Sequence, residues 1–407
     1  MSSNLTSVPS QSRVISSLAS LYILRMLGLF MVLPVLTLAG DAYQTTSTFL
    51  LGVALGIYGL TQAMLQIPFG LLSDRFGRKP LILIGLLLFA AGSLIAATSD
   101  SVTGLIIGRA LQGAGAIAGV IMAMVGDLTT NDNRTKAMAA IGASIGVAFA
   151  LALVIGPWIA SFSVMGLSGV KLLFAMTVLL SIVGLLILYG FVPSESAHQR
   201  RTSYLSLSQL GDVAKDRQCQ LLYVGVFVLH YVLMAIFLVI PHLLESVGIL
   251  KAGHAGVYLV VMLLSFVVMI PLMIVGEKKQ IVKVLIQCAV GLLLFTILIL
   301  ALFYRHLWLL ITCLFLFFVA FNYLEANLPS LLTKCLPAQS KGAGSGMFAT
   351  CQFLGAALGG IIGGALYQQW GLAILLASVV LLLLVWLILA RQMVIPKKPR
   401  SAGVNEV

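Results

Sequence analysis

Long apolar runs alternate with short polar breaks along this chain, and twelve of them recur at 18–38, 48–70, 80–98, 103–127, 137–161, 171–192, 220–243, 255–275, 281–303, 307–333, 342–367 and 371–391. About 20 apolar residues carry an α-helix across a ~30 Å hydrocarbon layer. The runs are continuous rather than alternating, which predicts helices and not barrel strands. The expected fold class is therefore an all-α membrane protein of twelve transmembrane helices. Arg25 and Pro34 interrupt the first run and no small-residue cleavage site follows it, so it is expected to stay as the first span.

The longest polar stretch divides the spans six and six. The expected organisation is an N-terminal six-helix bundle over 1–192, a linker over 193–219, a second bundle over 220–394 and a tail over 395–407. Glu195, Arg200, Arg201, Asp212, Lys215, Asp216 and Arg217 suit the linker to the membrane surface. Six spans per half give two parallel repeats. Their traces are faint: Gly276 to Lys279 stands 206 residues after Gly70, and Lys341 stands 207 after Arg134.

Composition agrees with a membrane-embedded chain: 60% of the 407 residues are hydrophobic, 9% are charged, and the mean hydropathy is +1.11. A net charge of +12 raises the question of nucleic acid, and the positions of the basic residues answer it. Connections from odd to even spans hold only Lys171, Lys251 and Arg305; Arg25 and Arg109 lie inside spans, and the other nineteen Lys and Arg fall at the termini and the remaining connections. That bias predicts both termini in the cytoplasm. A nucleic-acid partner is not expected, because no folded basic domain is present. Cys219, Cys288, Cys313, Cys335 and Cys351 lack metal-ligand spacing and read as small apolar residues, so no metal is expected. The absence of a P-loop argues against direct use of ATP, and no cofactor motif occurs. An enzyme would need converging catalytic groups, and a receptor would be expected to add a soluble signalling domain.

Charge is concentrated in GLLSDRFGRKP, residues 70–80. Gly70 is expected to end the second span, Gly77 to turn the chain and Pro80 to open the third, with Asp74, Arg75, Arg78 and Lys79 in a tight reversal. A charge at the membrane centre costs at least ~2.5 kcal/mol, so Arg25 and Arg109 are expected to face a wet cavity, with a structural tether as the alternative. In the tenth span, Glu325 has Asn322 three residues earlier on the same face. Burial disfavours the charged form of a carboxylate, which suits such a position to a proton relay. His230 in the seventh span reads either as part of that relay or as a packing residue. Tyr58, Gln62 and Gln66 share one face of the second span, and Tyr231, Met234, Phe237, Phe321 and Gln352 are further candidates for a cavity lining. Gly355, Gly359 and Gly363, Gly52 with Gly56, and Gly142 with Gly146 form small faces for close helix packing.

Gly70, Leu72, Ser73, Asp74, Arg75, Gly77, Arg78 and Lys79 resemble the signature loop of the major facilitator superfamily. The stretch from Gly108 and Arg109 through Leu111, Gln112, Gly113, Ala114 and Gly115 resembles the fourth-helix motif of its drug:proton antiporter branch. RMLGLFMVLPVL, IYGLTQAMLQIPFGLLSDRFGRKP, GRALQGAGAIAG, NRTKAMA and FNYLEANLPSLL are similar to YajR-type transporters of bacterial inner membranes. Those proteins carry a small soluble domain after the twelfth helix, which the sixteen residues beyond Arg391 are too short to form. The fifth span keeps only Gly156 and Pro157 of the antiporter motif there. The resemblance implies two six-helix bundles and a conformational latch: Asp74 facing the start of the eleventh span near Lys341 and Gly342, and Arg78 held by Asp127. It also implies a monomer in the lipid bilayer that exports a small amphipathic compound against protons. A specific metabolite such as a siderophore, or uncoupled facilitation, is the alternative.

Overall fold

The computed structural model describes residues 11–129, 131–193, 207–337 and 340–394. The tail 395–407, the linker residues Glu195, Arg200 and Arg201, the side chain of Arg134 and the surroundings of Gly142 lie outside what is described.

The first span is α1 (Gln11–Phe30) with the short α2 (Leu33–Leu36); the second is α3 (Thr48–Phe76) and the third α4 (Arg78–Thr98). α5 (Val102–Ala114) and α6 (Ala118–Leu128) share the fourth, α7 (Asn131–Ala160) is the fifth and α8 (Gly169–Phe191) the sixth. A hairpin of β1 (Ser163–Val164) and β2 (Leu167–Ser168) joins the fifth to the sixth. After α9 (Leu207–Lys215), α10 (Arg217–Phe237) and α11 (Ile240–Ser246) make the seventh span, followed by α12 (Lys251–Lys278), α13 (Val282–Phe303) and α14 (Leu307–Cys335). α15 (Lys341–Ala390) is 50 residues long and holds two spans, divided at Gly371, whose φ of 78° only glycine adopts freely.

Local chemistry starts these helices where the sequence changes character. Ser47, Ser101 and Asp216 accept a backbone N–H at the starts of α3, α5 and α10, and Pro34 and Pro241 open α2 and α11. Outward-facing side chains are apolar: Leu186, Val267 and Leu302 are 66%, 67% and 73% exposed, which in water would be untenable at this density and in lipid is required.

Three spans expected as continuous helices are interrupted. α1 stops before Pro34, α10 stops before Pro241, and the fourth span unwinds over Gly115–Ile117. At the last break the third span comes so close that a Cβ at Gly115 would collide with the Gly85 carbonyl. The site below uses the Gly115 carbonyl.

Spans one to six form one bundle and seven to twelve the other, and the most extensive contact between them is α3 against α15, with α7 against α12 beside it. Glycine sets how closely the first pair approaches. A Cβ at Gly52 would lie 2.5 Å from the Gly360 carbonyl oxygen and one at Gly59 2.6 Å from that of Phe353, with Gly56 tighter still against Ala357. On its other side the eleventh span lays Gly355 and Gly359 on the Phe227 and Tyr231 carbonyls of the seventh. Gly146, by contrast, has no atom within 4 Å of where its Cβ would be.

Candidate functional site

The molecule has a terminal end, where α1 begins, α15 finishes and Gly77 turns the chain, and a far end, where the β-hairpin lies. At the terminal end α3 does not stop at Gly70. It continues to Phe76, because hydropathy marks where lipid ends and not where helical hydrogen bonding ends, and Leu71 to Phe76 contain no breaker. Gly77 alone, at φ 100°, makes the turn.

Asp74 in the last turn of α3 and Arg78 at the start of α4 form an ion pair across the Gly77 turn. Arg78 is 4% exposed; its Nε also meets Asp127 Oδ2 at 3.1 Å, and its Nη1 donates to Ser73 Oγ at 2.5 Å. Lys79 donates to the Val192 carbonyl at 2.6 Å and lies over the Tyr189 ring, while exposed Arg75 lies over Phe76. Spans two, three, four and six are therefore tied at one point. Across the seam, Gly342 and Gly346 of the eleventh span have no atom within 4 Å of a built Cβ.

Arg25 and Arg109 do not face an open cavity; each is 2% exposed and packed within the first bundle. Arg25 Nη2 donates to Gln62 Oε1 at 3.0 Å and, at 2.6 Å, to the Gly115 carbonyl, which also accepts the Ile117 N–H within the helix break. Arg109 donates to the Ala54 carbonyl at 3.2 Å and to Gln112 Oε1 at 2.8 Å, and its guanidinium stands 4.7 Å from the Tyr58 ring centre. Gln112 passes the chain on to Ser93 at 2.7 Å. Gln66 is buried against Gly119 of the fourth span. Tyr58, Gln62 and Gln66 thus line the inside of the first bundle rather than the space between bundles.

His230, Glu325 and Gln352, from the seventh, tenth and eleventh spans, converge. Glu325 Oε1 accepts from Gln352 Nε2 at 3.2 Å, Glu325 Oε2 stands 3.6 Å from His230 Nε2, and Gln352 Nε2 stands 2.8 Å from that same nitrogen. The Glu325 side chain is 20% exposed. Asn322 donates to Ser265 of the eighth span at 3.0 Å, so it and Glu325 serve different neighbours. Tyr231 pairs with Ser378 of the twelfth span and points away from the cluster. The His230 ring lies 6.0 Å from that of Phe321, which stacks on Phe317. Phe149 of the first bundle meets Phe321 at 5.6 Å, Phe318 at 6.2 Å and Phe30 at 5.0 Å, putting an aromatic roof across the seam.

Sequence reasoning missed the far-end contacts between bundles. Gln368 Oε1 accepts from Ser47 Oγ at 2.7 Å and from the Phe49 N–H at 2.8 Å, at the N-terminus of α3. His242 donates to the Thr37 carbonyl at 3.2 Å and Lys251 to that of Leu38 at 3.5 Å, where the first span ends and its carbonyls lack helical partners. The partners are 205 to 321 residues apart, so no local signal marks them. Gln368→Ala is expected to favour the far-end-open state roughly fivefold, about 1 kcal/mol for the two exposed bonds lost. Distances between spin labels across that end check it.

Twelve spans in two bundles, with a charged turn at one end and an acid, an imidazole and an amide gathered in the second bundle beside the seam, define a membrane carrier. The family model described as Major Facilitator Superfamily matches residues 18–359. The chain belongs to that superfamily, and is a transporter rather than an enzyme. It is 45% identical over 399 residues to the inner membrane transport protein YajR of Escherichia coli K12, covering 98% of this chain and 87% of YajR. An uncharacterized transporter of Buchnera aphidicola is 38% identical over 84% of this chain and 87% of its own. The solved structure of a bacterial homologue of the human lysosomal transporter Spinster, inward-facing and occupied, superposes with a TM-score of 0.75 over 95% of this chain and 97% of that one; at 13% identity it shows the shared fold alone.

Proposed function

We propose that this transporter is a secondary active carrier of a bacterial inner membrane, with both termini cytoplasmic, that works by alternating access and exports small amphipathic compounds in exchange for protons. The observation that carries this reading is the Glu325–His230–Gln352 cluster: a partly exposed acid and an imidazole in contact beneath aromatic rings beside the seam. Acids inside spans are costly and are kept for ion and substrate paths. The rings offer the apolar half of an amphipathic compound a surface to stack on, and the acid serves the proton.

In this reading the bundles 1–192 and 220–394 rock about the seam, with 193–219 as the connecting linker. Close glycine packing at the far end and open space around Gly342 and Gly346 fit the inward-facing state. In the outward-facing state the charged turn of Gly70, Asp74, Arg75, Gly77, Arg78 and Lys79, braced by Asp127, would close on Lys341 and Gly342, and Asp74 would meet the positive end of the eleventh span. Such a contact is worth about 0.3–2 kcal/mol. Asp74→Asn is expected to favour the inward-facing state and slow transport without unfolding the protein.

The test is reconstitution with a pH-sensitive dye inside liposomes and a panel of cationic dyes, antibiotics and siderophores. Proton movement that one substrate class elicits and Glu325→Gln abolishes supports the reading. Flux without proton movement, or proton movement unchanged in Glu325→Gln, rejects it.

A further inference from the structure

Gln352 presents one amide nitrogen to two ionisable groups, His230 and Glu325. The Val226 carbonyl can only accept, so His230 Nδ1, 3.1 Å away, carries a hydrogen. In the neutral ring Nε2 is then a lone pair, and it takes one N–H of Gln352 at 2.8 Å while Glu325 Oε1 takes the other at 3.2 Å. The amide orientation follows from the carboxylate, since the reversed amide would set oxygen against oxygen. The arrangement is that of a neutral imidazole beside a carboxylate.

An added proton breaks it wherever it lands. On His230 Nε2, an N–H faces the N–H of Gln352 and turns instead to Glu325 Oε2, 3.6 Å away. On Glu325 Oε2, the new O–H donates to His230 Nε2 and competes with Gln352 for the same lone pair. On His230 the bond from the eleventh span to the seventh is lost, and on Glu325 it is weakened. The titratable groups facing the cluster are His230 of span seven, Glu325 of span ten and Tyr22 of span one, the last within electrostatic range of Glu325 and Arg25; the adjacent Phe321 is neutral.

That bond sits at a mechanical boundary. From Phe353 to Gly364 the eleventh span is pressed between backbone of the seventh and second spans, whereas beyond Gln352 a Cβ at Gly346 or Gly342 would meet no atom within 4 Å, and the seventh span reaches this part through the longer Tyr223 hydroxyl to Gly344 carbonyl contact at 3.5 Å. We propose that Gln352 is a positioning residue that reads the protonation state of the His230–Glu325 pair, strengthening the tie between the eleventh and seventh spans when the pair is deprotonated and weakening it when a proton is bound. This rests on Glu325 and His230 being the proton site.

Spin labels at the terminal ends of the second and eleventh spans, followed between about pH 5.5 and 8.5, test it. The wild type is expected to change its ratio of distance populations roughly tenfold over that range, and Glu325→Gln to lose the change. Gln352→Met, which fills the same space without a donor, and Gln352→Ala are expected to remain monodisperse, still take up protons in a dye assay, and change the ratio less than about twofold. A Gln352→Met protein that follows pH with wild-type midpoint and amplitude overturns the role of Gln352 while leaving the proton site standing. A Glu325→Gln protein that responds like the wild type overturns the proton site, and the inference with it.

Discussion

Replacing Gly56 by valine should force the far end of this transporter open. A Cβ at Gly56 would press into the Ala357 carbonyl and stand 2.7 Å from Ile361 Cγ1, and a helix backbone cannot yield as a flexible side chain can. Overpacking of this kind costs about 1–3 kcal/mol when the structure must absorb it. Here the two bundles can part instead, so the strain is expected to appear as a population shift of roughly 5- to 150-fold away from the far-end-closed state. Label distances across the Ser47–Gln368 contact would lengthen, and transport would slow because the inward-facing state is visited less. Gly146→Val is the control: with open space at that position it should leave both distances and transport unchanged. Equal effects from the two substitutions would mean that the second-to-eleventh span seam is not what closes the far end.

Arg78→Met should be the most destabilising substitution in the charged turn. The guanidinium is buried between Asp74 and Asp127, and removing one partner of a buried ion pair costs about 3–5 kcal/mol because the carboxylates remain in a poorly solvated place. Thermal unfolding should show a clear fall in Tm for Arg78→Met, and adding Asp74→Asn should restore part of it by removing one of the two carboxylates. If Arg78→Met unfolds within about a degree of the wild type, the turn is a surface feature and not a brace.

The twelve spans were legible because lipid imposes a length and a composition on any helix that crosses it, and the Leu- and Val-rich runs meet both. The interruptions were not. Pro34 and Pro241 allow a break without requiring one, and the close approach of Gly115 to Gly85 at the break in the fourth span is a contact between distant residues. The candidate side chains were legible as types: polar groups in apolar runs stand out. Their partners did not, so Arg25 and Arg109 were expected in a wet cavity when they in fact bind carbonyls and amides inside the first bundle. His230 looked isolated because its partners are 95 and 122 positions away in the sequence, although one helix turn of movement in the tenth or eleventh span would part them.

The aromatic roof formed by Phe149 with Phe318 and Phe321 bears on electrical insulation. A membrane that stores energy as a proton gradient cannot tolerate a continuous file of water through a protein it contains. Facing rings offer water no hydrogen bonds, and so interrupt any such file between the acid and the far end. Because Phe149 comes from the first bundle and Phe318 and Phe321 from the second, with Phe30 packed behind Phe149, this insulation depends on contact between the two bundles.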